Sequence, residues 1–163
     1  MRLSEALSLR KDVQRRIEQL RERAANNAVV QEGEVPAEDP NALLQEVREQ
    51  VDAWQRLVQQ INLTNAVTTL EDGTALTVAI ARRDALKVQH STLTRVADAA
   101  SGRSSGDPYP RRYTRRTLRS ELRDVPQVDV GELRREADDL ARQYRELDQR
   151  IQLVNFTADL IEQ

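Results

Sequence analysis

Apolar positions recur at intervals of three and four along four stretches of the chain, and charged or polar residues fill the gaps between them. Leu3, Ala6, Leu7, Val13, Ile17, Leu20 and Ala24 share one face of a helix expected over about residues 3–27, with Arg10 in the gap of the stripe. A second helix is expected from Asp39 and Pro40, because aspartate caps free backbone N–H groups and proline at the first helical position has no N–H to lose. Its stripe runs Leu43, Val47, Val51, Trp54, Val58, Ile61 and Asn65, and it stops near the turn signal Asp72-Gly73. Leu76, Ala79, Ile80, Leu86, Leu93 and Ala97 predict a third helix over about residues 74–100. The fourth begins at Asp129, which has capping-box spacing to Glu132, and carries Leu133, Ala137, Leu140, Tyr144, Leu147, Ile151 and Asn155. The connections AVVQEGEVPAEDP and SGRSSGDPYPRRYTRRTLRSELRDVPQVD each contain a Val-Pro step, which biases the residue before proline toward extended backbone.

The stripes repeat. Residues 35–70 align with 125–160 without a gap, placing Val35-Pro36 on Val125-Pro126, Asp39 on Asp129, Trp54 on Tyr144, Ile61 on Ile151 and Asn65 on Asn155. Eleven of these 36 positions are identical, and the first and third helices match at an offset of 73. Shared helical periodicity alone explains part of this likeness. The shared Val-Pro step, aspartate cap and asparagine favour duplication. The expected fold is therefore all-α: an antiparallel four-helix bundle of coiled-coil-like helices, built as one domain from two αα-hairpins, residues 1–70 and 74–163. The second hairpin carries an insertion at about 101–117. The two linkers, near 28–34 and 118–124, are placed to pair as a short two-stranded ladder. An asparagine on an apolar stripe costs stability unless it is hydrogen-bonded, and its best-attested use is fixing register. Asn65 and Asn155 are thus expected to bond to each other or to nearby helix N-termini. Arg10 and Arg83 occupy one equivalent stripe position. Each either snorkels to the surface or pairs with a carboxylate in a buried or interface setting.

Composition narrows the class. With 163 residues, 32% charged and 3% aromatic, the chain has the profile of a well-solvated helical protein. The absence of cysteine excludes disulfides, thiolate metal sites and cysteine nucleophiles. No apolar run approaches the roughly 20 residues of a bilayer span. The N-terminal sequence shows no apolar core flanked by a cleavage site, so a cytoplasmic protein is expected.

Charge is uneven. Residues 101–123 hold seven arginines against Asp107 and Glu121, a local net of +5 in a chain of net −2. Tyr109 and Tyr113 lie among them, and arginine beside an aromatic suits phosphate contact and base stacking. Arg111, Arg112, Tyr113, Arg115, Arg116 and Arg119 are the candidate nucleic-acid contacts; a solvated loop is the plainer reading. A di-iron bundle site needs two Glu-x-x-His motifs, whereas this chain has one histidine, His90, whose repeat partner Ile17 assigns it to core packing. The glycines at 102 and 106 lack the P-loop lysine, and Ser, His and Asp show no triad spacing. The pairs Glu38-Asp39 and Asp138-Asp139 read as dipole and solubility residues. No catalytic, cofactor-binding or metal-ligating set is expected.

The segments LSEAL, RIEQL, VQEGEVPAEDP, INLTNAVTTLEDGTALTVAIARRD and YRELDQRIQ together resemble a bacterial family of uncharacterised proteins often labelled septicolysin. The resemblance spans nearly the whole chain outside 101–117. It implies an all-helical, small soluble protein and brings no catalytic residues; the label implies a pore-forming toxin. The residues themselves favour a non-enzymatic bundle that self-associates or scaffolds a protein partner, a dimer being expected before a higher ring. Nucleic-acid binding through 101–123 is the alternative, and a septicolysin-like toxin is the third reading.

Overall fold

The four periodic stretches form four helices: α1 (Leu3–Asn26), α2 (Pro40–Val67), α3 (Leu76–Ala100) and α4 (Val130–Thr157). The structure is a computed structural model and describes residues 1–102 and 125–162. The fold is all-α and is built from two helical hairpins. α2 and α4 are both 28 residues long, about 42 Å at 1.5 Å per residue, and their ends coincide at the repeat offset of 90. α1 and α3 both start on a leucine, Leu3 and Leu76, and neither leucine has exposed surface. Leu57 and Leu147, Ile61 and Ile151, Ala6 and Ala79, Ala24 and Ala97, and Leu70 and Leu160 are buried in both copies. The duplication thus extends to the core. Each fully buried leucine contributes about 2 kcal/mol of apolar burial.

The caps explain where the helices begin. Asp39 accepts a hydrogen bond from the Asn41 N–H at 2.9 Å, and Asp129 accepts one from the Glu132 N–H at 2.9 Å. α1 has no acceptor side chain at Arg2; instead Glu5 reaches back to the Arg2 N–H at 2.8 Å.

The chain divides into two compact units, Met1–Thr77 with the C-terminal stretch from Ile151, and Val78–Arg150. Both α3 and α4 run from one unit into the other, so the unit boundary does not follow the hairpin boundary.

In the first unit, α1 packs on α2, and Leu20, Ala24 and Leu43 form a core at one end with Val47 against it. At the other end lie two short backbone clasps related by the repeat. The Leu76 N–H donates to the Thr68 carbonyl at 2.8 Å, and the Leu3 N–H donates to the Ala158 carbonyl at 3.0 Å. The Leu70 N–H donates to the Thr74 carbonyl at 2.8 Å, and the Leu160 N–H donates to the Met1 carbonyl at 2.8 Å. The bridges Thr69–Ala75 and Arg2–Asp159 complete the correspondence. The first clasp is closed by the turn Glu71-Asp72-Gly73. Gly73 there has φ +80°, a conformation that suits glycine, and Asp72 accepts from the Thr74 N–H at 2.9 Å. The second clasp joins the two ends of the chain, with Met1 and Arg2 also ion-paired to Glu162 and Asp159.

Residues 28–34 contain a turn and no strand, while 118–124 lie outside the described residues. Among the described residues no helix is long and apolar enough to cross a membrane.

Candidate functional site

The second unit carries an open groove of about 330 Å³ between α3 and α4, lined by Lys87, His90, Ala141, Tyr144 and Arg145. Helical spacing builds it. Lys87 and His90 are three apart on α3, and Ala141, Tyr144 and Arg145 are three and four apart on α4, so each set shares one face. His90, Ala141 and Tyr144 are half-buried, while Lys87 and Arg145 are exposed. The corresponding residues of the first hairpin are Gln14, Ile17, Val51, Trp54 and Gln55. His90 was expected to pack like Ile17. It is half-buried, as Ile17 is, and also lines the groove with Ala141, where the first hairpin carries the larger Val51.

Arg83 lies one turn before the groove on α3. Its guanidinium bonds the Asp84 carboxylate at 2.8 Å and approaches Asp148 of α4 at 3.5 Å. Burial disfavours its charge, yet the hydrogen bond and the charges of Asp84 and Asp148 outweigh burial and hold its pKa above the ordinary value. Arg10, its repeat mate, is half-buried; Lys11 and Val58 stand where Arg83 has Asp84 and Asp148. The carboxylate-paired arginine is therefore a feature of the second copy. Asp139 is likewise held, by Arg142 at 3.0 Å. Among the described residues neither Lys87 nor Arg145 makes an ion pair.

The paired asparagines are placed differently from each other. Asn155 is buried and Asn65 half-buried, and among the described residues no hydrogen bond joins their side chains. The polar link at this level of the first unit runs through Thr64, which is 1% exposed. Its hydroxyl donates to the Gln60 carbonyl at 2.8 Å and accepts from the Ile161 N–H at 2.9 Å, which ties the C-terminal tail to α2. Sequence reasoning missed Thr64. The available signal was a threonine on a buried stripe where the repeat has Val154. It also missed the groove, whose five lining positions differ between the copies as most positions outside the core do.

A second feature belongs to the ends of α2 and α4. Phe156, the only phenylalanine of the chain, is 65% exposed, and Leu153, one turn before it, is 55% exposed. Leu63 and Val67, near the end of α2, are exposed as well, and Leu63 is the repeat mate of Leu153. The candidate nucleic-acid contacts Arg111, Arg112, Tyr113, Arg115, Arg116 and Arg119 lie outside the described residues.

Residues 10–160 match the model of a family described as "Family of unknown function (DUF6847)". A solved structure, the crystal structure of a functionally unknown conserved protein from Corynebacterium diphtheriae, is similar over 99% of both chains, with 37% sequence identity and a TM-score of 0.85. No curated protein matches the chain.

Proposed function

The chain belongs to this family of unknown function, DUF6847, and on that premise we propose a non-enzymatic helical protein that self-associates through the exposed apolar ends of α2 and α4. The observation that carries the reading is Phe156 with Leu153, an aromatic and an aliphatic side chain on one helical face and mostly in water. Contiguous apolar surface of this kind marks interaction sites, and aromatic residues are enriched in interface cores. Leu63 and Val67 present related apolar residues on the equivalent helix. One chain thus carries two similar patches, which suits a closed dimer or a ring. Burying the exposed part of Phe156 is worth about 2 kcal/mol, or roughly thirtyfold in an association constant.

Light scattering coupled to size exclusion tests this. The native chain is expected at a multiple of its 18.6 kDa mass at micromolar concentration, and the variant Leu153→Ser/Phe156→Ser is expected as monomer. A native chain that stays monomeric at about 100 µM, above the range of ordinary specific complexes, refutes self-association. The arginine-rich stretch 101–123 supports a second reading, nucleic-acid binding. Its test is anisotropy of labelled single- and double-stranded nucleic acid with the native chain and with a 101–117 deletion. Binding that ignores the deletion, or that vanishes at physiological salt, rejects it.

A further inference from the structure

The two hairpins hold one another's history. Where the apolar stripes of the copies agree, they serve the same packing. Around Tyr144 the five equivalent positions differ between the copies, as most positions outside the core do. Gln14 becomes Lys87, Ile17 becomes His90, Val51 becomes Ala141, Trp54 becomes Tyr144 and Gln55 becomes Arg145. Two neutral amides become cations. An aliphatic side chain becomes an imidazole with hydrogen-bonding nitrogens. A valine is replaced by the smaller alanine, which lines the groove. The indole becomes a phenol, which both donates and accepts a hydrogen bond.

Asp84, three residues before Lys87, and Asp148, three residues after Arg145, share the single positive charge of Arg83, and Asp139 pairs with Arg142. Lys87 and Arg145 line the groove from opposite helices together with His90, Ala141 and Tyr144, and the lining is mainly apolar. Arginine offers a planar fork and lysine a mobile point charge, and both suit phosphate or carboxylate oxygens. A volume of about 330 Å³ is at the small end of ligand pockets.

We propose that this groove binds a small organic anion, whose phosphate or carboxylate meets Lys87 and Arg145 while its planar or apolar body rests on Tyr144, His90 and Ala141. The site is separate from the apolar ends of α2 and α4 and does not depend on self-association.

The chain contains one histidine and one tryptophan, and they fall in different units, His90 in the second and Trp54 in the first. The proton NMR signals of the His90 ring therefore report on the groove, and the Trp54 indole serves as internal control. Phenyl phosphate, benzoate, inorganic phosphate and phenol are titrated separately. Phenyl phosphate or benzoate is expected to move the His90 signals to saturation while Trp54 stays in place. Inorganic phosphate and phenol, each lacking one half of the ligand, are expected to bind at least about tenfold more weakly, a difference of about 1.4 kcal/mol. Comparing phenyl phosphate with benzoate decides which acid group is preferred.

The variant Lys87→Gln/Arg145→Gln installs the residues that the first hairpin already carries, and is expected to weaken binding at least tenfold with unchanged helical circular dichroism. Ala141→Val, which restores the bulk of Val51, is expected to abolish it and stands in if the double variant fails to fold. No saturable movement of His90 with either organic anion overturns the proposal. So does retention of native affinity in these variants, or equal affinity for inorganic phosphate and phenyl phosphate.

Discussion

Joining residue 163 to Met1 is expected to raise stability by several kcal/mol, because the structure holds Leu160 against Met1 as it holds Leu70 against Thr74 across an unbroken turn. The clasp of Leu160 on Met1 and of Leu3 on Ala158 reproduces the clasp of Leu70 on Thr74 and of Leu76 on Thr68. In the repeat register, residues 161–163 correspond to Glu71, Asp72 and Gly73, and Met1 corresponds to Thr74. A peptide bond between residue 163 and Met1, together with Ile161→Glu, Glu162→Asp and Gln163→Gly, would copy the internal turn. The glycine supplies the φ of +80° seen at Gly73, and the aspartate supplies the acceptor that Asp72 offers to Thr74. Closing a ring of about 163 residues removes about 17 cal/mol/K of chain entropy from the unfolded state, or about 5 kcal/mol at 25 °C. This is a ceiling, since residual structure in the unfolded chain lowers it. At about 2–4 °C per kcal/mol for a chain of this size, the melting temperature should rise by roughly 10–20 °C. The assay is thermal and urea unfolding of the cyclic protein beside the linear chain with the same three substitutions. That control removes the effect of the substitutions themselves. A cyclic protein no more stable than its linear control would show that closing the ends strains them, and would refute the equivalence of the two clasps.

Thr64→Val removes the acceptor of the Ile161 N–H and inserts the residue that the repeat holds at Val154. It is expected to cost about 1 kcal/mol in urea unfolding and to speed amide exchange at Ile161 more than at Leu70; an unchanged Ile161 rate would remove Thr64 from its anchoring role. Glu38, hydrogen-bonded by Arg23 through both of its oxygens, has its carboxyl held below the usual range, chiefly by that hydrogen bond and then, against burial, by the charges of Arg23 and Arg16. A lowered folded-state pKa gives stability that is present above the ordinary carboxylate pKa and is lost as pH falls through the lowered value. Glu38→Gln should therefore be less stable than the native chain near neutrality and should converge with it in acid, and parallel curves of stability against pH would contradict this.

Much of the fold was legible because its determinants are local. Periodicity alone locates the four helices of the described residues. Asp39 and Asp129 mark two starts to the residue because a cap must sit immediately before the first turn. Asp72-Gly73 marks the turn because its φ requirement is carried by the residue itself. The duplication was legible for a related reason. Two copies of one core must keep apolar residues at the same positions, and Leu57, Ile61 and Leu70 return as Leu147, Ile151 and Leu160.

Partnership was not legible, because a period says which face a residue shares and not what it meets. Asn65 and Asn155 were marked by their place on the stripe, yet the tail is tied down by Thr64, a residue 97 positions from the Ile161 amide it bonds. Arg10 and Arg83 look alike in sequence and differ in surroundings, since the carboxylate that engages Arg83 from α4 has Val58 as its counterpart. The groove beside His90 lies where α3 and α4 bring His90, Ala141 and Tyr144 together, residues about 50 positions apart in the chain. The sequence by itself determined the helices, their caps and their doubling, through short-range sterics and hydrogen bonding. Only the tertiary structure decided which chain ends meet, which charges stay unpaired and where space remains, because these depend on groups far apart in the chain and on the distances at which packing leaves them.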